Sequence, residues 1–127
     1  MRLLGIVSLV ICLMDLPFET RAAEIFEAGV GVIDITPVSG YRMSGYFSER
    51  LNTGTIDPLL AKAVVMRQGD TQAAIVFCDL IGISLDVSQR ARAQAQEVTG
   101  ILAEHIAIAA THSHTGPMYF GALRQHF

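Results

Sequence analysis

Ala73-Ala74-Ile75-Val76-Phe77-Cys78-Asp79 and His105-Ile106-Ala107-Ile108-Ala109-Ala110-Thr111-His112-Ser113-His114-Thr115-Gly116-Pro117 are two apolar runs that each end in chemistry-bearing side chains. Short apolar runs bounded by turn residues read as buried strands, here Ala73 to Cys78 and His105 to Ala110. Between them, Val87, Ala91, Ala95 and Val98 recur on one helical face, with Arg90, Arg92, Gln94 and Gln96 elsewhere. This spacing predicts a helix over Val87 to Thr99. Asp86 is its expected N-cap, Gln89 completes a capping box, and Gly100 terminates it. Strand, helix, strand is a βαβ unit when the strands run parallel. Asp79 and Thr111-His112 then emerge at one edge of the sheet, where ligands gather in open α/β sheets.

Working toward the N-terminus, Ala61 to Arg67 reads as a further strand. The turn residues Gln68-Gly69-Asp70-Thr71 join it to Ala73–Cys78 as an antiparallel hairpin. Ala28 to Ile35 alternates small, apolar and polar residues and stops at Thr36-Pro37, a strand followed by a loop. The predicted fold class is therefore α/β, a mixed sheet with a β-hairpin and a βαβ unit. Val38 to Asp57, rich in Gly, Ser, Tyr and Asn, reads as a long irregular segment of the kind that often carries function. Within it, Tyr41 and Tyr46 either line a pocket or pack under the loop.

The chain has 127 residues, 51% of them hydrophobic, enough for a packed core and against disorder. A net charge of −3 without any Lys/Arg cluster argues against a nucleic-acid partner. Arg2 followed by apolar Leu3 to Met14 and then by Thr20-Arg21-Ala22-Ala23 has the layout of a secretory signal peptide. Residues 1–22 are accordingly expected to be a leader, and the protein secreted or periplasmic; a buried helix or short membrane anchor is the alternative. Cys12 falls in that leader, which leaves Cys78 as a lone, buried thiol and excludes an internal disulfide or a two-cysteine zinc site.

The paired histidines carry the only specific chemistry. Residues i and i+2 of a strand share a face, so His112 and His114 point the same way if strand geometry persists that far. Two neutral imidazoles at a strand end suit zinc; solvated loop residues or partners of carboxylates are the alternative reading. Asp79 is either a turn residue or a group behind the metal that accepts a hydrogen bond from a bound imidazole. His105, at the opposite end of its strand, is structural. Gly29-x-Gly31 lacks the third glycine and following helix of a phosphate loop, and Gly82-Ile83-Ser84 lacks the glycine that completes a nucleophile elbow.

Ala110-Thr111-His112-Ser113-His114-Thr115-Gly116-Pro117 resembles the Ala-Thr-His-Thr-His-Ser-Gly-Pro signature of the neutral/alkaline (non-lysosomal) ceramidases. Ala28-Gly29-Val30-Gly31 with Asp34-Ile35-Thr36-Pro37 resembles that family's opening strand, and Gly45-Tyr46 its glycine-tyrosine loop. Asp57-Pro58-Leu59-Leu60-Ala61-Lys62-Ala63 and Val76-Phe77-Cys78-Asp79-Leu80 resemble two further segments, in the right order. Ser113 and Thr115 exchange the usual hydroxyl residues. Leu60 and Lys62 replace an aromatic and an arginine, which weakens the expectation of a pocket contact at Leu60.

The resemblance implies a secreted zinc (Zn2+) amidohydrolase that cleaves the N-acyl bond of ceramide to sphingosine and a fatty acid. It implies a zinc ligand at His112 and a residue at His114 that positions or polarises the substrate. The implied domain is a layered α/β structure, and the implied partner a ceramide-like lipid, with membrane-surface contact a further possibility. The family's other ligands, a histidine, a glutamate and a tyrosine, lie far downstream of this motif. Residues 23–127 are therefore expected to be the N-terminal part of a longer catalytic domain, inactive alone. A ceramidase-like binding module without turnover, or a zinc hydrolase with another substrate, is the alternative.

Overall fold

The computed structural model describes residues 24–119. The leader expected over residues 1–22 lies outside the described residues, as does His126. In chain order the elements are β1 (Phe26–Asp34), β2 (Leu60–Gln68), β3 (Thr71–Cys78), α1 (Leu85–Thr99), a 3-10 turn (Ala103–His105) and β4 (Ile106–Ala110). The four strands form one mixed sheet in the order β1-β2-β3-β4. β1 and β3 both run antiparallel to β2, and β4 runs parallel to β3. The expected hairpin and βαβ unit are both present.

Strand ends extend beyond the apolar runs because a backbone ladder continues wherever a partner is available. Gln68 pairs with Thr71, which leaves Gly69-Asp70 as a two-residue loop. Gly69 takes φ +57 there, a value favoured for glycine in tight hairpins. On β1 the ladder reaches back to Phe26, opposite Gln68.

Register assigns the two faces of the sheet. Ala74 pairs with Val65 and with Ile106, so these side chains share a face. Ala74, Ile101 and Ile106 form the core, with Val65, Ala95 and Ile108 packed against it. α1 covers this face. The opposite face carries Val30, Val64, Ile75 and Phe77 in register, and Val30 there is 76% exposed.

The helix starts two residues earlier than the periodicity predicts. Ser84, in extended conformation, is the N-cap, and its side chain makes no capping hydrogen bond. Asp86 is therefore not the cap. It sits in the first turn, where a carboxylate opposes the positive end of the helix dipole, and its Oδ2 lies 3.4 Å from Arg90 one turn on. Gly100 terminates the helix as expected, with φ +76 and its N–H donated to the Gln96 carbonyl. Val98, expected on the buried stripe, is 86% exposed, so the last turn runs past the packed part of the face. His105 belongs to the 3-10 turn rather than to β4, and its Nδ1 lies 3.1 Å from the Gln72 carbonyl at the start of β3.

The packed stripe of α1 consists of small side chains. They leave a cavity of about 450 Å³ against the sheet, lined by Val76, Cys78, Val87, Ala91, Ile108 and Tyr119 among others. Cys78 is half-buried there, as an apolar thiol. Burial, and then the charge of Asp79, push its pKa above the ordinary thiol value.

Candidate active site

Parallel pairing of β3 with β4 brings Cys78 opposite Ala110, so both chains leave the sheet side by side. The pairing continues beyond the strands: Thr111 donates its N–H to the Cys78 carbonyl at 2.9 Å, and Ser113 donates to the Leu80 carbonyl at 3.1 Å. Asp79 ties three strand ends together. Its Oδ2 accepts the Leu60 N–H at 3.0 Å, and its Oδ1 accepts the Thr111 hydroxyl at 3.0 Å. Among the described residues neither oxygen takes a hydrogen bond from an imidazole. The carboxylate meets the histidine motif one residue before His112, by anchoring Thr111.

The group that orients His112 is a backbone carbonyl. His112 Nδ1 lies 2.9 Å from the Ile81 oxygen. A carbonyl can only accept, so this contact places a proton on Nδ1, and in the neutral tautomer the lone pair is then on Nε2. Such a partner for one ring nitrogen is the usual companion of metal ligation through the other. Ile81 went unnoticed in the sequence because a main-chain oxygen carries no residue-type signal.

His112 and His114 are brought together, but not by strand alternation. β4 ends at Ala110, and His112 takes φ +64, the left-handed region that side chains with a Cβ avoid. The chain turns sharply there. The two rings meet edge to face, centroids 5.0 Å apart and planes at 75°. Both residues are exposed.

The long segment between β1 and β2 folds back on itself and is stapled over this edge. Gly40 donates to Asn52, Asn52 to Tyr41, and Met43 to Arg50, all between backbone groups at 2.8 to 2.9 Å. Ser44 N–H reaches the Gly116 carbonyl at 2.9 Å, Met118 N–H reaches Arg42, and the Tyr41 hydroxyl donates to the Thr115 carbonyl. Tyr41 thus packs under the loop, and it also lines a second cavity of about 300 Å³ with Asn52 and Thr115.

This staple presses Gly45 against His114. A Cβ at Gly45 would lie 2.7 Å from two ring carbons of His114, and Gly45 has φ +86. Only glycine meets both conditions without displacement. Tyr46 then stands edge-on to His114, centroids 6.0 Å apart at 88°. The glycine-tyrosine pair was legible in the sequence; its target was not.

Among the described residues no three His, Cys, Asp or Glu side chains converge as a metal-binding group. The donors present fit part of a zinc site: one imidazole whose Nδ1 is engaged by a carbonyl, which leaves Nε2 for a metal, and a second imidazole beside it.

No family model matches the sequence, and no curated protein matches it. Solved structures do. The neutral ceramidase from Pseudomonas aeruginosa superposes with a TM-score of 0.68 at 28% identity, over 78% of this chain. A ceramidase complexed with C2 superposes at 0.66 and 27% identity, again over 78% of this chain. In each case the chain spans 16% of the other chain's length.

Proposed function

From its structural kinship with the neutral ceramidases, we propose that this chain contributes the first zinc ligand of an exported amidohydrolase. That enzyme cleaves the N-acyl bond of ceramide: water adds across the amide, the C–N bond breaks, and a fatty acid and sphingosine leave. The observation that carries this reading is the Ile81 carbonyl on His112 Nδ1, which engages one ring nitrogen and leaves Nε2 for a metal.

His112 would hold the metal through Nε2. A catalytic zinc takes three protein ligands, and the further donors are proposed to come from residues beyond those described. Bound zinc supplies Lewis acidity for the amide carbonyl and lowers the pKa of water toward about 7. His114, beside it, offers a ring nitrogen to the substrate oxygen. The backbone staple from the β1–β2 segment keeps that ring in place. The leader layout of residues 1–22 supports export, and the lipid substrate supports work near a membrane surface.

The test pairs metal analysis with turnover of a ceramide carrying a fluorescent acyl chain, using the full-length protein. One zinc per chain is expected, and His112→Ala should abolish both zinc and hydrolysis. Absence of stoichiometric zinc, or unchanged hydrolysis in His112→Ala, overturns the reading. Zinc binding without turnover of any amide would leave a ceramidase-like binding module.

A further inference from the structure

Among the described residues, the ring of His114 makes no hydrogen bond, so its orientation depends on packing alone. Its neighbours are the His112 ring, the edge of Tyr46 and the bare Cα of Gly45. Tyr46 has a contact of its own on its ring face. The Arg50 guanidinium carbon lies 4.3 Å from the centre of the Tyr46 ring. A cation at that distance over an aromatic face is attracted by the ring quadrupole.

The folded-back segment puts Arg50 there. Met43 donates its N–H to the Arg50 carbonyl at 2.8 Å, and Arg42 bridges to Leu51, so Arg50 sits across the ladder from Met43. The turn from Ser44 to Glu49 then carries Tyr46 back beneath the guanidinium. Glu49, the nearest acid in sequence, lies 3.8 Å from Arg42 instead.

We propose that Arg50 is a positioning residue for His114: stacked on Tyr46, it fixes the ring edge that aims His114 at the substrate carbonyl. This rests on the reading that His114 acts on an acyl-amide substrate. A planar guanidinium suits the task because it covers the ring face while its own donors remain in water. Lysine at this position would keep the cation and lose part of the coverage. Glutamine would lose the cation.

The experiment uses Arg50→Gln and Arg50→Lys in the full-length, zinc-loaded protein. One readout is steady-state hydrolysis of a short-chain fluorescent ceramide. The other is the NMR spectrum of the histidine ring protons, which sense the Tyr46 ring current. Arg50→Gln is expected to lower kcat by about tenfold with little change in KM, as a misaimed group does. It should also shift the His114 ring resonances while leaving those of His112 in place. Arg50→Lys should restore most of both.

Unmoved His114 resonances in Arg50→Gln overturn the proposal, whatever happens to turnover. A raised KM with kcat intact also overturns it, because Arg50 would then bind the lipid directly. A wild-type protein that hydrolyses no ceramide would overturn the substrate role. In that case the His114 shift alone decides whether the contact positions the ring.

Discussion

The Nδ1 atom of His112 lies 2.9 Å from the carbonyl oxygen of Ile81, across the gap between the chains leaving β4 and β3. His112 makes this contact with φ +64. A left-handed residue with a Cβ costs about 1–2 kcal/mol. That strain sits on the residue that would carry the metal, where backbone strain commonly collects.

His112→Gly and His112→Ala both remove the imidazole, and both should lose zinc. They differ in backbone strain, which favours glycine at this φ, and in unfolded-chain entropy, which offsets part of that gain. Glycine adopts this φ freely and alanine does not, so His112→Gly should be the more stable of the two by about 1 kcal/mol. Urea denaturation of the two variants measures the difference directly. Equal midpoints would mean that the left-handed turn is not held in solution.

Gly45→Ala puts a methyl where the His114 ring lies and imposes φ +86 on a residue with a Cβ. We expect a loss of about 1–2 kcal/mol from the backbone alone. Hydrolysis should fall further than stability does, because the ring must move. Zinc content should stay at the wild-type level, since His112 has its own anchor. Metal analysis alongside a thermal melt separates these effects.

Asp79 distinguishes an anchoring role from a charge role. Asp79→Ala strands the Leu60 N–H and the Thr111 hydroxyl, and should cost about 1–3 kcal/mol. Asp79→Asn can accept from Leu60 through its oxygen and donate to the Thr111 hydroxyl through its amide. It should therefore be nearly neutral in both stability and zinc affinity. A marked drop in zinc affinity for Asp79→Asn alone would show that the negative charge itself acts on the metal.

Two apolar residues on or just after α1 should respond very differently to truncation. Ile101, 5% exposed, belongs to the core, and Ile101→Ala should cost about 2–5 kcal/mol. Val98, 86% exposed, should change stability by less than about 0.5 kcal/mol when cut to alanine. Chemical denaturation at neutral pH gives both values.

Cys78 predicts a pH dependence on the alkaline side. Burial first, and the Asp79 charge second, raise the folded thiol above its ordinary pKa. The unfolded thiol loses its proton near about pH 8.5 while the folded one keeps it. The unfolded state then binds fewer protons, so stability falls as pH rises through this window. Below it the contribution is fully present. Cys78→Ala should flatten the stability profile above about pH 8.5 relative to wild type.

Local pattern carried much of the architecture. Ala73–Cys78 and Ile106–Ala110 are apolar and short, Gly69-Asp70 is a hairpin turn, and Gly100 stops a helix; each signal involves neighbours in sequence. Where the readings failed, the local signal was overridden: the helix begins before its best capping residue and runs past the packed part of the face. Asp86 lost the N-cap to Ser84, which carries no capping hydrogen bond, and Val98 kept its helical phase but found nothing to pack on.

The histidine pair divides in the same way. Its residue types, its place after a buried strand and its edge shared with Asp79 follow from the sequence alone, because chain order and strand direction suffice to state them. Tertiary structure alone decided which atoms orient the rings. The Ile81 carbonyl, the bare Cα of Gly45, and Tyr46 beneath Arg50 come from segments far from the motif in sequence, apart from the motif's own turn at His112. A main-chain oxygen, an absent side chain and a ring held edge-on have no signature in residue type. They become forces on an imidazole only when folding brings them within a few ångströms of it.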